Sequence, residues 1–420
     1  SGKTSFLRAL NLALGVEKRG VNRDDLFIDK TGKLLSEIST GMKDKIVVDV
    51  KIIPVNEQGE RTVEFDEGWL AEFGKAIHFE GEKPFFAYRF QYFFEKGKDE
   101  AKPGWFIINN WASPAINEET DGLNTASLKN VRLYFIDAQR DIQDDLRNRT
   151  SWFGKLATQI EYDPEPLKKL EADLASLNED AVEKAIVLKH LKDLLKELNA
   201  PLQAGGSGVE ITPLPKKIRD LHKSMKIHFQ DGDSEVFGLE YHGMGTRSWA
   251  SMLTFKAFVG WEERRLATFH PLLALEEPEA HLHPNAQRHL YRQLSSTSGQ
   301  KIISTHSPYI AAQAALEEIR YFCKNEDETR VAKLDLSGLS KDDTRKIKRE
   351  VMHSKGELLF SKAIVLSEGE TEEQALPFFA AKYWGQEPFE LGINFVGCGG
   401  SNYEAFIKVF KSLGMNWFVF

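Results

Sequence analysis

The sequence predicts an α/β protein: a P-loop head carrying an inserted helical hairpin, followed by a smaller Rossmann-like unit. Three observations predict it. Gly2-Lys3-Thr4 stands directly before apolar residues at helical spacing, Phe6, Leu7, Leu10 and Leu14. Leu272-Leu273-Ala274-Leu275 is a short apolar run that ends in two adjacent carboxylates, Glu276 and Glu277. Ile364-Val365-Leu366 is another such run, ending in Ser367-Glu368-Gly369. Strands that deliver polar residues at their carboxyl ends, each followed by a helix, build open α/β sheets, whose ligands bind at that edge.

Composition sets the outer limits. The 420 residues are 41% hydrophobic and 28% charged, which supports a packed core and excludes global disorder. At roughly 100–200 residues per domain, the length indicates about two to four domains. No apolar run approaches the roughly 20 residues a spanning helix needs, so no membrane association is expected. No N-terminal basic-then-apolar stretch reads as a secretion signal. Cys323 and Cys398 cannot make a disulfide framework or a four-thiolate zinc site, and they fit the cytoplasm. The net charge of −8 argues against a uniformly basic DNA-coating protein but leaves room for a local basic groove. Ser1-Gly2-Lys3-Thr4 reads as the second half of G-x-x-x-x-G-K-[ST], with the first Gly upstream, and Trp417-Phe418-Val419-Phe420 reads as a border strand. The chain is therefore expected to be a fragment.

Along the chain, Ser5–Leu14 reads as the helix a P-loop requires. Residues 45–65 alternate and are β-branched, and 85–94 and 105–111 are aromatic and strand-like. Val131–Ile136 is a buried strand followed by a polar turn over 137–141. Leu167, Leu170, Leu174 and Leu177, then Leu188, Leu191, Leu195 and Leu198, step by three and four; Asn178-Glu179-Asp180 interrupts between them. This predicts an αα-hairpin, either an extra packing layer or an arm that pairs two protomers. Ala204–Gly208 is a flexible break. Residues 226–275 return to strands and helices. Lys301–His306 is a strand with a polar tip, 325–357 is a charged connector, and a βαβαβ unit runs from Ala363.

The chemistry follows from these positions. In a P-loop, backbone N–H groups of Gly2, Lys3, Thr4 and Ser5 and the Lys3 ammonium hold nucleotide phosphates, and the Thr4 hydroxyl joins the Mg²⁺ shell. Adjacent residues on a strand point to opposite faces, so Glu276 is assigned to the metal side and Glu277 to the attacking water. His306 follows Glu277 by 29 residues at the tip of the next strand, the place of a γ-phosphate sensor in ABC-type ATPases. Gly243 and Gly245 form a Gly-rich turn before a helix, a ready anion site. His281 and His283, with Glu277 and Glu279, have a spacing that could be mistaken for a zinc site. Glu368 and Glu372 flank a tight turn and can converge on one Mg²⁺ or Mn²⁺ as hard oxygen ligands; the alternative is ordinary helix capping.

These motifs together resemble the OLD (overcoming lysogenization defect) family of nucleases, whose relatives include antiphage effectors of Gabija and retron systems. Glu276-Glu277-Pro278-Glu279-Ala280-His281-Leu282-His283-Pro284 is similar to that family's Walker B segment, Ser304–Pro308 to its His-loop, and Leu366–Glu372 to its opening Toprim motif. The resemblance implies an ABC-type ATPase head joined to a truncated Toprim domain. By position it implies ATP and Mg²⁺ at Lys3 and Thr4, hydrolysis at Glu276 and Glu277, sensing at His306, and nuclease metal at Glu368 and Glu372. Gln139 stands where a Q-loop is expected. The Toprim pattern's further Asp pair is expected past Phe420. Residues 50–130 carry no motif that matches.

The expected function is an ATP-regulated, metal-dependent DNA endonuclease of antiphage type, catalytic at Glu277, His306, Glu368 and Glu372. Its expected partners are DNA, itself as a homodimer or higher oligomer, and a second defence-system protein. The rival is an SMC- or RecF-like ATPase that loads or senses DNA, its C-terminal unit being a non-catalytic module; RNA as substrate also stays open. The expected division is 1–160 and 209–324 for the head, 161–208 for a dimerising hairpin, 325–358 for a linker and 359–420 for Toprim.

Overall fold

A computed structural model describes residues 2–16, 45–94, 101–111, 119–137, 163–199, 241–280, 282–325, 328–399 and 403–420, with shorter stretches at 21, 25–26, 28, 32–34, 151, 212–215, 228–229 and 237–238. The expectations for Gln139, Ala204–Gly208 and His281 lie outside the described residues. Two compact units emerge: Ser1–Ala138 with Phe255–Phe420, and Gln139–Thr254.

The first unit opens with α1 (Lys3–Leu14), as the spacing of Leu7 and Leu10 requires. Strand β1 (Lys45–Ile52) follows. The strand reading of 45–65 stops short there, because Asn56–Gly59 turns the chain and only the bridge Val55–Arg61 remains. After α2 (Glu67–Phe73) come β2 (Ile77–Glu80), β3 (Lys83–Phe94), β4 (Ala101–Ile108) and β5 (Glu119–Gly122). They form an antiparallel sheet in the order β1-β3-β4-β5, with β2 also on β3. Asp49 and Arg89 are directly paired across β1 and β3, and the guanidinium donates to both carboxylate oxygens at 2.7 and 2.9 Å. This sheet is the region without a motif.

Strand β6 (Val131–Ile136) begins the parallel core. It pairs with β9 (His270–Glu276), which pairs with β10 (Gln300–Ser304). Pro271–Leu275 are all buried, as expected of a central parallel strand covered on both faces. Leu7 and Ala13 of α1 share one hydrophobic core with Phe86, Tyr88 and Phe90 of β3 and with Leu133, Leu272 and Ala274 of the parallel strands. Burying each large side chain contributes about 1.5–3 kcal/mol, so this core anchors α1 firmly.

The second unit contains α3 (Pro164–Lys184), α4 (Ile186–Asn199), β7 (His228–Phe229) and β8 (Phe237–Gly238). The helix break does not fall at Asn178–Asp180. The Asn178 side chain is buried; it donates to the Leu214 carbonyl and accepts from the Leu214 N–H at 3.1 and 2.7 Å. Its amide is thus used in tertiary pairing, and the helix runs on to Lys184. The break comes at Ala185, whose ψ of 108° is extended. Helix α5 (Met244–Arg265) closes this unit and enters the first one at Phe255.

Back in the first unit, α6 (Pro284–Ser295) and the short α7 (Pro308–Ala311) flank β10. Residues 325–358, expected as a connector, are structured. They include β12 (Glu328–Lys333), paired with β11 (Arg320–Asn325), then α8 (Lys341–Lys346), a π-helical stretch to His353 and a 3₁₀ turn over Gly356–Phe360. Ile347, Val351, Met352, Leu358 and Leu359 bury themselves with Ile364, Leu366, Val396 and Phe410. Charge on the outer face hid this apolar side from a reading by composition. Strand β13 (Ala363–Ser367), α9 (Glu370–Trp384), β14 (Ile393–Gly397), α10 (Tyr403–Leu413) and β15 (Asn416–Val419) complete the chain. Their parallel sheet has the order β14-β13-β15, the doubly wound arrangement, with β13 central. Among the described residues no helix is long and apolar enough to cross a membrane.

Candidate nucleotide site and acidic metal site

Gly2 caps α1 in the left-handed conformation, φ +84°. A Cβ there would also meet Thr329 Oγ1 at 2.6 Å, so both backbone and space select Gly. The three residues that follow start the helix, and α1 offers its first N–H groups and its positive dipole end to an anion. Ser5 lies exposed on that first turn.

Three strand and helix ends converge beside it. Lys3 Nζ donates to the Thr305 carbonyl at 2.9 Å and approaches His306 Nε2 at 3.1 Å. An ammonium only donates, so Lys3 needs an acceptor at Nε2 for this contact. Burial lowers the pKa of Lys3, and the negative charges of Glu277 and Glu279 oppose that shift. The Thr4 hydroxyl donates to Glu276 Oε1, joining the hydroxyl and carboxylate assigned to a Mg²⁺ shell. Glu277 Oε1 lies 3.6 Å from His306 Nε2. Its backbone has φ +44°, alone among the described non-glycine residues in being left-handed, and its N–H donates to the Ser304 carbonyl at 2.8 Å. That bond pins the strained turn and sends consecutive side chains to different places, Glu276 to Thr4 and Glu277 to His306. Strain of this kind costs of order 1–3 kcal/mol and gathers at functional sites.

Sequence reasoning missed the role of Glu279. Its Oε1 accepts from Thr305 Oγ1 at 2.6 Å, from the His306 N–H at 2.8 Å and from the Ser307 N–H at 3.1 Å. One carboxylate oxygen thus organises the whole His306 turn. Its Oε2 is buried and receives no donor among the described residues, an acceptor left for a ligand or water. The available signal was the acid just after Pro278, facing Thr305 in the next strand's tip. Gln287 continues the arrangement: its Oε1 accepts from Ser307 Oγ at 2.5 Å, and its amide donates to the Leu282 carbonyl at 2.8 Å. His283 caps α6, accepting from the Asn285 N–H at 3.3 Å, which is a structural task rather than a zinc ligand's. Gly243 and Gly245 do open α5, in the other compact unit.

The acids of the C-terminal sheet are placed differently. Glu368 is exposed directly after the central strand β13. Glu372 Oε2 accepts from the Gly369 N–H at 3.2 Å, so one of its oxygens serves the helix cap. Tyr403 stands close enough that both acids, after burial, raise its phenol pKa. Gly397 passes so near that a Cβ there would lie 2.8 Å from the Gly369 carbonyl oxygen and 3.0 Å from Glu373 Oε2. Among the described residues no group of three His, Cys, Asp or Glu side chains converges. Two hard carboxylates at a strand's carboxyl edge fit a divalent cation that keeps several waters.

The fold and the first site define a P-loop ATPase head continuous with a Toprim-like sheet. Comparison with known proteins agrees. The AAA ATPase domain family matches residues 87–311, and the overcoming lysogenization defect protein-like TOPRIM domain matches residues 359–420. The chain belongs to the OLD-type ATPase–Toprim family. It is 31% identical over 209 residues to the OLD nuclease of Thermus scotoductus, covering 47% of this chain and 38% of that protein. It is 27% identical over 149 residues to the uncharacterized protein YbjD of Escherichia coli K12, covering 36% and 27%. The chain therefore spans well under half the length of these curated relatives. A crystal structure of Stu0660 of Streptococcus thermophilus shares 11% identity, covers 52% of this chain and 57% of that one, and has a TM-score of 0.28, too slight a likeness to bear on the fold.

Proposed function

We propose that this protein is a nucleotide-regulated nuclease, in which the P-loop head controls phosphodiester hydrolysis at the acids of the Toprim sheet. The carrying observation is a series of contacts that leads from His306 to the start of the Toprim sheet. The His306 ring lies 5.9 Å from the ring of Phe360, in the turn that leads into β13. Gly356 of the same turn packs on Pro308, where a Cβ would come within 3.3 Å. Its neighbour Lys355 donates to Glu373 Oε1 at 2.6 Å, one residue from Glu372. A change at His306 has a short path to the metal-side acids.

In the head, Lys3 and the α1 N-terminus hold the nucleotide phosphates, and Thr4 and Glu276 hold the Mg²⁺ shell. Glu277 positions the attacking water and takes its proton, while His306 reports the γ-phosphate. Bound phosphate competes with the Thr305 carbonyl and His306 for the Lys3 ammonium. In the Toprim sheet, Glu368 and the second oxygen of Glu372 would hold Mg²⁺ or Mn²⁺, which would supply an activated water and charge stabilisation for the leaving oxygen. DNA is the substrate, gripped mainly through its phosphates. The exposed Leu170, Leu177, Ile186, Val187 and Leu191 of α3 and α4 support self-association through that helical pair. Within this reading, the protein is a cytoplasmic antiphage nuclease that works with a second defence protein.

The test incubates the complete protein with plasmid DNA and Mg²⁺ or Mn²⁺, with and without ATP. Glu368→Ala abolishes cleavage and leaves ATP hydrolysis; Glu277→Gln abolishes ATP hydrolysis and alters the ATP response of cleavage. Robust ATPase activity with DNA binding but no cleavage, under any metal, favours the DNA-loading ATPase instead. That no group of three His, Cys, Asp or Glu side chains converges among the described residues is the observation on that side.

A further inference from the structure

The acidic chain carries one basic stripe that the head's chemistry does not use. Asn285, Arg288, His289 and Arg292 lie at i, i+3, i+4 and i+7 of α6, so they share one exposed face. Neither Arg288 nor Arg292 makes an ion pair among the described residues. The stripe lines a shallow hollow of about 260 Å³. Arg288 also lines a deeper cavity of about 490 Å³ between α6, α7 and the stretch 352–357, which leads toward β13. That cavity is walled by Tyr309, His353 and Glu357 among others, and the Arg288 guanidinium lies 5.1 Å from the Tyr309 ring centroid. Tyr309 keeps 38% of its surface exposed. An aromatic face, an arginine stacked on it and further cations along one line suit an unpaired nucleotide chain, whose bases stack and whose phosphates need positive charge. A duplex has no free base face to offer Tyr309.

We infer that the α6 stripe and the adjoining cavity form a seat for single-stranded nucleic acid. Arg288 and Arg292 contact successive phosphates, and one base enters the cavity against Tyr309. His289 and His353 line the seat, and Glu357, the acid in the wall, faces the base rather than the phosphates. The seat rests on the nuclease reading for its purpose but not for its test.

Fluorescence anisotropy with a labelled single strand of about 16 nucleotides, its duplex, and free AMP as competitor tests it on the full chain without metal. Arg288→Glu with Arg292→Glu is expected to weaken single-strand binding more than tenfold. For the double Arg288→Gln, Arg292→Gln variant, the slope of log affinity against log salt falls by about 1.4, the value for two phosphate contacts on a single strand. Tyr309→Ala weakens binding roughly 5- to 150-fold at unchanged salt slope, as loss of one stacked base does. ATP binding by each variant confirms that the head is folded. Unchanged single-strand affinity in these variants overturns the seat, as does equal loss of duplex binding or full competition by AMP at the strand's own affinity. If Glu368→Ala cleaves DNA normally while the arginine variants lose single-strand binding, the nuclease reading fails and the seat stands.

Discussion

Two strands in this molecule end in acidic pairs, and they are wired in opposite ways. At the tip of β9, each carboxylate has a partner from another element: Glu276 takes Thr4, Glu277 faces His306, and Glu279 gathers three donors. At the tip of β13, Glu368 has no hydrogen-bond or ion-pair partner among the described residues, and Glu372 bonds only its own helix start. The first site is organised before any ligand arrives. The second presents carboxylates on a rigid turn and leaves their convergence to a cation. Preorganised donors suit charge that develops in hydrolysis, whereas loosely held acids can be switched by what pushes the turn.

The largest expected effect tests the preorganised side. Glu277→Gln retains the backbone and the fold but loses the proton acceptor, and ATP turnover is expected to fall about 10²–10⁴-fold with nucleotide binding intact. Wild-type turnover in this variant breaks the assignment of the base. Glu279→Ala removes the acceptor of the Thr305 hydroxyl and of the His306 N–H, while the Ser307 N–H keeps Thr305 Oγ1. Denaturant unfolding is expected to show a loss of about 1–3 kcal/mol, with ATP turnover reduced as well. At the other tip, Glu372→Gln still caps Gly369, so its stability stays within about 0.5 kcal/mol while metal-dependent cleavage falls. Equal destabilisation by Glu279→Ala and Glu372→Gln erases the contrast between the tips.

The smallest effect concerns the link. Lys355 and Glu373 are each about 30% exposed, so their pair is worth under about 1 kcal/mol. Lys355→Met is expected to leave stability nearly unchanged and to shift the ratio of cleavage with ATP to cleavage without it by several-fold. An unchanged ratio places the coupling elsewhere.

That these side chains would gather at one edge was legible in the sequence because each sits at the end of an apolar run: Lys3 and Thr4 before α1, Glu276 and Glu277 after β9, His306 after β10. Burial of the run fixes the strand, and the strand fixes the tip. Glu279 was not legible, because its task depends on which strand lies beside β9, and parallel pairing joins residues distant in sequence. Asn178 misled for a similar reason. A residue that favours turns stays helical when a distant backbone supplies both of its hydrogen bonds. The stretch 325–358 shows that frequent charges on one face can coexist with a buried apolar face. For the antiparallel sheet, the alternation was readable but its place over α1 was not, since no motif spans it.

The left-handed turn at Glu277 has a consequence for how this position drifts under mutation. The fold alone is better served there by glycine, which adopts φ +44° without a steric penalty. Glutamate and glycine codons differ by one base, so a better-folded protein without the proposed water-positioning acid lies a single nucleotide away. In a lineage where ATP turnover no longer matters, that replacement is favoured twice, by folding and by ease of mutation. If Glu277 has the proposed role, retention of glutamate at this point marks selection for turnover rather than for folding.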